Sequence, residues 1–204
     1  MEAKIVQALA ISPNFSNGQT VLAGTQADGV FRSQDGGKRW HPISVEINEP
    51  LSVNSIVYSE VGTILIGTGE HGILRSSDRG EIWHQIQTDT LVVLSMKVIG
   101  KYIYAGLFEV GLMVSKDDGK SWDRVENLSA RRFNWLSNQK GLALVAGSFN
   151  DGIWSLKHGL TDWNIADGWK EDTPVLAMLT CEDTILLLCR MVYFELKRIA
   201  LIGI

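Results

Sequence analysis

The sequence predicts an all-β fold assembled from one repeated, four-stranded unit. Three observations carry the prediction. A stretch of twenty residues recurs four times, glycine and tryptophan hold the same places in each copy, and the intervening segments are short, branched and punctuated by turns. The copies are GTQADGVFRSQDGGKRWHPI from Gly24, GTGEHGILRSSDRGEIWHQI from Gly67, GLFEVGLMVSKDDGKSWDRV from Gly106 and GSFNDGIWSLKHGLTDWNIA from Gly147. Their starts step by 43, 39 and 41 residues, as do Trp40, Trp83, Trp122 and Trp163.

Within each copy the local pattern is that of strands. The first gives VQALAIS, TVLAGT, VFRSQ and RWHPIS; the second VNSIVYS, TILIGT, ILRSS and IWHQIQ. The third gives VVLSMKV, YIYAGL, LMVSK and SWDRV, and the fourth FNWLSNQ, LALVAGS, IWSLK and DWNIA. Each segment is rich in β-branched or aromatic residues and bounded by glycine or polar breaks. A four-stranded sheet recurring every forty-odd residues cannot bury both faces alone and must stack on its neighbours, which is the organisation of a β-propeller. A fifth copy is degenerate: PVLAMLT and TILLLC supply two strands, VYFEL a third, and the terminal KRIALIGI an outer strand. The expectation is one propeller domain over 1–204, with repeats at about 5–45, 52–88, 91–126, 133–166 and 174–204. It has either five blades or part of a larger ring, and an open arc would expose an apolar face and self-associate.

The bulk properties narrow the function. Hydrophobic residues at 45% and charged residues at 21% fit a globular core, and a formal charge of −4 argues against nucleic acid as a partner. No apolar window is long enough to span a membrane, and the N-terminus MEAKIVQALAISPNF lacks the pattern of a secretory signal, so the expected location is cytoplasmic without membrane insertion. Cys181 and Cys189 have no zinc-type partners, and no two histidines stand at ligand spacing, so neither a metal nor a cofactor is expected.

Ser33-Asp35-Gly37-Trp40, Ser76-Asp78-Gly80-Trp83 and Ser115-Asp117-Gly119-Trp122 each fit S-x-D-x-G-x-x-W. This pattern resembles the Asp-box, or BNR, repeat of sialidases, xyloglucanases, sortilin-type receptors and photosystem II assembly factors. The physics of such a box is local: the carboxylate accepts from backbone N–H groups after it, glycine supplies an unusual backbone conformation, and tryptophan packs beside the outer strand. The resemblance implies that the turn joins the third and fourth strands, away from any ligand-binding face. The fourth copy keeps Trp163 but holds Leu156, His158 and Leu160 at the serine, aspartate and glycine places. Arg32 and Arg75 occupy equivalent strand positions and read as repeated architecture.

Candidate binding residues therefore lie in the loops at the other end: Glu70, His71 and Glu109 between second and third strands, and Arg131, Arg132, Trp169 and Lys170 in the links between blades. The link ENLSARRFNW joins arginine to aromatic residues, types enriched at binding hot spots. A sialidase needs an arginine cluster and a tyrosine nucleophile, but Arg131 and Arg132 are adjacent and point apart, and Tyr58, Tyr102, Tyr104 and Tyr193 fall within strands. The expected role is a non-enzymatic scaffold for a protein partner, with a glycan as the alternative ligand. A glycoside hydrolase relative or an inactive fragment stands as the second reading.

Overall fold

The structure is a computed structural model that describes residues 4–47, 50–86, 91–126, 128, 132–139, 142–149, 152–156, 163–165, 175–181, 184–189 and 197–199. Its strands form five sheets in chain order. The first holds β1 (Val6–Ile11), β2 (Val21–Thr25), β3 (Val30–Ser33) and β4 (His41–Ile43), with a one-turn helix α1 (Phe15–Gly18) between β1 and β2. The second holds β5 (Val53–Tyr58), β6 (Ile64–Thr68), β7 (Ile73–Ser76) and β8 (His84–Gln85). The third holds β9 (Val93–Ile99), β10 (Tyr102–Leu107), β11 (Gly111–Ser115) and β12 (Asp123–Arg124). The fourth is β13 (Phe133–Gln139), β14 (Leu142–Ser148), β15 (Ile153–Leu156) and β16 (Trp163–Ile165), and the fifth is β17 (Val175–Cys181), β18 (Thr184–Cys189) and β19 (Lys197–Ile199).

Two details depart from the sequence reading. The break between β1 and β2 contains helix α1, whose turn closes through Gln19 N–H donating to Phe15 O, with Gln19 at φ 47°. In the fifth sheet, Lys197–Ile199 pairs directly with β18, in the third place expected for VYFEL, and is the edge strand of that sheet among the described residues. VYFEL lies outside the described residues.

The chain divides into two compact units, Met1–Ala105 with Ser115–Trp122, and Gly106–Val114 with Asp123–Ile204. In the first unit the second strands are covered on both faces, so they are apolar without alternation: every residue of β6 (ILIGT) is buried. Leu22, Val30, Val53, Ile56, Ile64, Ile66 and Leu74 form a core shared by the first two sheets.

Neighbouring sheets approach through a glycine at the end of the second strand. A methyl group added at Gly67 would sit 2.5 Å from Val93 Cγ1, and one at Gly24 would collide with Val53 Cγ1. In the second unit, one at Gly147 would lie 2.7 Å from Val175 Cγ1. Each valine opens the first strand of the next sheet and is 0% exposed. The register shifts just after it, between Val53 and Ser55 and between Val175 and Ala177, a bulge that also occurs after Val6 and Phe133. In the second sheet the extra residue is Asn54, which donates from Nδ2 to Val93 O of the third (2.9 Å). The bulge thus frees a polar side chain to tie adjacent first strands.

Candidate functional site

The two ends of the sheets differ in chemistry. At one end the turn after the third strand is built the same way three times. The Ser33 hydroxyl donates to Asp35 Oδ1 (2.8 Å) and accepts from Gly37 N–H (2.9 Å), while Asp35 Oδ1 accepts from the N–H groups of Lys38 (3.0 Å) and Arg39 (2.9 Å). Ser76 and Asp78 repeat the pattern with Gly80, Glu81 and Ile82, and Ser115 and Asp117 repeat it with Gly119, Lys120 and Ser121. The serines are 0% exposed, so their hydroxyls must find partners within the turn. Gly37, Gly80 and Gly119 sit at φ 94°, 87° and 80°, where a Cβ is strained.

The tryptophans differ. Trp40 Nε1 donates to Gly37 O (3.0 Å) and Trp122 Nε1 to Gly119 O (3.3 Å), whereas Trp83 Nε1 is buried without a partner. All three turn carboxyls are held below the usual range. Arg39 does most for Asp35, first through its side chain and then its N–H; the Ile82 N–H and the Ser76 hydroxyl act on Asp78. Ser121, by hydroxyl and then N–H, leads at Asp117, which falls to about 2.

One component of this end was not recognised as a contact in the sequence. Arg75, on β7, donates from Nε to Asp118 O (2.8 Å) and from Nη2 to Asp118 Oδ2 (2.7 Å), in the turn of the next sheet. Thr63 completes the group by donating to Asp118 Oδ2 (2.6 Å). Burial pushes the Asp118 carboxyl up, but Ser59, Thr63 and Arg75 together bring it below its ordinary value. Arg32 does the equivalent one sheet earlier, donating from Nη1 to Arg79 O (2.8 Å) and pairing with Glu81 Oε1. Arg79 and Asp118 hold the same place in their turns, at φ 67° and 62°, which turns their carbonyls toward the preceding sheet. The sequence did carry the signal. Arginine directly precedes the turn serine in the first two copies, each followed by a complete turn one repeat later, while Val114 precedes Ser115 and the following turn is degenerate.

The other end holds the loops after the second strands and the links between sheets. Glu70 is exposed; His71 is half-buried, with its N–H on Thr68 Oγ1 (2.8 Å), its carbonyl accepting from Gln85 Nε2 (2.9 Å) and its Nε2 buried without a partner. Lys4 pairs with Asp28 (2.5 Å) and lies over the Phe31 ring at 5.3 Å. In the second unit, the Arg132 guanidinium stacks 4.1 Å from the Phe108 ring centroid and pairs with Glu109 Oε1 (3.2 Å). Glu109 is held at φ 64°, and the Arg132 carbonyl accepts from Phe149 N–H (3.1 Å). Trp135, two residues beyond Phe133 on β13, is 39% exposed.

The structure therefore brings Glu109 and Arg132 together and leaves Glu70 and His71 in the other unit. Arg131, Trp169 and Lys170 lie outside the described residues. Phe108, beside Glu109 in the loop where the sequence places a ligand site, is the surface on which Arg132 rests. Among the described residues no cluster of His, Cys, Asp and Glu is placed to hold a metal ion, and no helix is long and apolar enough to cross a membrane. Burial raises Tyr58 to about 12 and raises Tyr104 as well, the wrong direction for a nucleophilic phenolate at neutral pH.

No family profile and no curated protein matches the sequence. Solved structures do. The chain resembles the GH74 xyloglucanase from Xanthomonas campestris with a TM-score of 0.74 and 16% identity, over 96% of this chain and 37% of that one. It resembles YCF48 bound to D1 peptide with a TM-score of 0.67 and 18% identity, over 91% of this chain and 62% of that one. The extracellular domain of BT4673 from B. thetaiotaomicron gives 0.71 and 14%, over 92% and 26%. The chain thus spans under two thirds of the length of each. With their likeness and its repeated four-stranded antiparallel sheets, the chain has a β-propeller fold, and its sheets are blades.

Proposed function

We propose that this chain is an Asp-box propeller module, a single domain over 1–204, that binds a protein segment through the loop end of its blades. The observation that carries the reading is the Arg132 group. Its guanidinium lies over Phe108, 4.1 Å from the ring centroid, so a cation and an aromatic surface are presented together. The Glu109 pair is solvent-exposed and worth little by itself, so a carboxylate on the ligand can exchange for it at small cost. The likeness to YCF48, which is bound to D1 peptide in its structure, supports a peptide ligand.

The same reading makes the three Asp-box turns architectural. In each, Oδ1 accepts from local N–H and hydroxyl donors and the carboxyl is shifted downward, opposite to the shift a general acid needs. The xyloglucanase likeness favours a second reading, a glycoside hydrolase relative.

Immobilised peptide arrays probed with the full chain distinguish the two. Binding to acidic or aromatic peptides is expected to fall at least tenfold in Arg132→Ala and Phe108→Ala, and to persist in folded Asp78→Ala. Equal loss in all three variants, or xyloglucan hydrolysis by the wild-type chain with no peptide bound, overturns the proposal.

A further inference from the structure

The interface between consecutive blades has two recurring parts, and the first blade displays the following blade's half of both, the valine knob and the turn carbonyl. In the first unit the parts are a valine knob seated on the preceding blade's glycine, Val53 on Gly24 and Val93 on Gly67, and a turn carbonyl capped by the preceding blade's arginine, Arg79 by Arg32 and Asp118 by Arg75. By strand register Val6 is the equivalent of Val53, since Val6 pairs with Thr25 as Val53 pairs with Thr68. Leu9 is likewise the equivalent of Ile56.

The burial of these positions differs sharply. Val53 is 0% exposed and Ile56 6%, whereas Val6 is 51% and Leu9 66% exposed, flanked by Ile5 at 63% and Ile11 at 64%. By register Val6, Leu9 and Ile11 take the places of Val53, Ile56 and Tyr58 on one face of the strand, so three large apolar side chains are exposed along that face. The turn of this blade is also unmet. Gly36 holds the place of Arg79 and Asp118 at φ 71°, and among the described residues no side chain donates to its carbonyl. Gly37 has only Trp40 of its own turn near its Cβ position, whereas Gly80 faces Ile43 and Gly119 faces Leu65 of the preceding blade.

We infer that the face of the first blade bearing Val6, Leu9, Ile11 and the Gly36 carbonyl is a docking surface for a further four-stranded blade. That blade carries a glycine at the end of its second strand and an arginine on its third. This chemistry is the one its own first two blades offer, through Gly24 with Arg32 and Gly67 with Arg75. The fifth sheet meets one requirement by register and misses the other: Arg198 pairs with Leu186 as Arg32 pairs with Leu22, but Leu188 stands in the glycine's place. The fifth sheet of a second copy therefore lacks the glycine this face requires. The inference does not depend on the ligand proposed for the loop end.

The test reads the reactivity of an introduced thiol at Leu9→Cys in the full chain. N-ethylmaleimide modification is followed on the peptide containing that position by mass spectrometry. Two extended chains are compared with it: one places a copy of residues 48–92 ahead of Val6, as that segment precedes Val93, and the other a copy of residues 5–52. Labelling is expected to slow at least tenfold in a folded extended chain and to return toward the unextended rate when the copied Gly67 or Gly24 is changed to valine. Unchanged labelling with both extensions overturns the proposal, as does protection that survives the glycine-to-valine change. A dimer of the unextended chain by light scattering, with labelling that slows as its concentration rises, assigns the face to a second copy and likewise overturns it.

Discussion

Replacing Gly67 with alanine tests the inter-blade packing at a close approach where a single methyl is the whole perturbation. The new Cβ would lie 2.5 Å from Val93 Cγ1, 3.0 Å from Val93 Cβ and 3.1 Å from Met96 Sδ. Two of these atoms belong to a side chain 0% exposed, and the third to one 5% exposed, so none can swing into solvent. The blades must part or β9 must shift. Overpacking of this kind costs about 1–3 kcal/mol, and alanine returns about 0.4–1 kcal/mol by restricting the unfolded chain, leaving a net loss of about 1–2 kcal/mol. Gly18→Ala is the control: its nearest neighbour is Thr20 Oγ1 at 3.7 Å, so it should be neutral or stabilising by a few tenths. Val93→Ala removes two buried methyl groups and costs about 2 kcal/mol alone. Because it also removes the Cγ1 collision, the double variant should be at least about 1 kcal/mol more stable than the sum of the two losses. Urea unfolding followed by tryptophan fluorescence and circular dichroism gives these differences from the midpoints at constant m. Additivity within about 0.5 kcal/mol, or no effect of Gly67→Ala, refutes the claim that this glycine exists to receive Val93.

Arg75→Met should cost about 2–3 kcal/mol, because Arg75 is 11% exposed and its loss strands the part-buried Asp118 carboxylate, while Arg32→Met, whose partner Glu81 is 67% exposed, should cost about 1 kcal/mol or less by the same unfolding assay. The turn aspartates have folded pKa values below their unfolded ones, so they stabilise the chain above the unfolded value of about 3.9, and that contribution disappears as pH falls through the folded values. Thermal midpoints should therefore hold above about pH 5 and drop toward pH 2, with a shallower acid limb in Asp117→Ala; an unchanged limb would refute the assignment. Trp122→Phe should destabilise more than Trp83→Phe, because the former deletes a buried bond to Gly119 O and the latter removes a buried donor that has no acceptor.

The sequence alone determined the fold class, because each blade repeats the same local physics. Short apolar strands and the Ser-Asp-Gly-Trp turn are specified by residues within a few positions of one another, so Gly24 to Trp40 and Gly67 to Trp83 could be read as one unit met twice. The local bonds of Asp35 followed from chemistry visible in the string, although the buried serine hydroxyl at the centre of the turn did not. Contacts between repeats were decided only by the tertiary structure. Arg75 and Asp118 stand 43 residues apart, and nothing in either segment says that a guanidinium will meet that carbonyl until two blades are stacked. Pairing Arg132 with Glu109 and laying it on Phe108 likewise required two loops distant in sequence to meet. The exposure of Val6 and Leu9 is the sharpest case: their composition matches that of the buried Val53 and Ile56, and only the presence or absence of a stacked sheet separates core from surface.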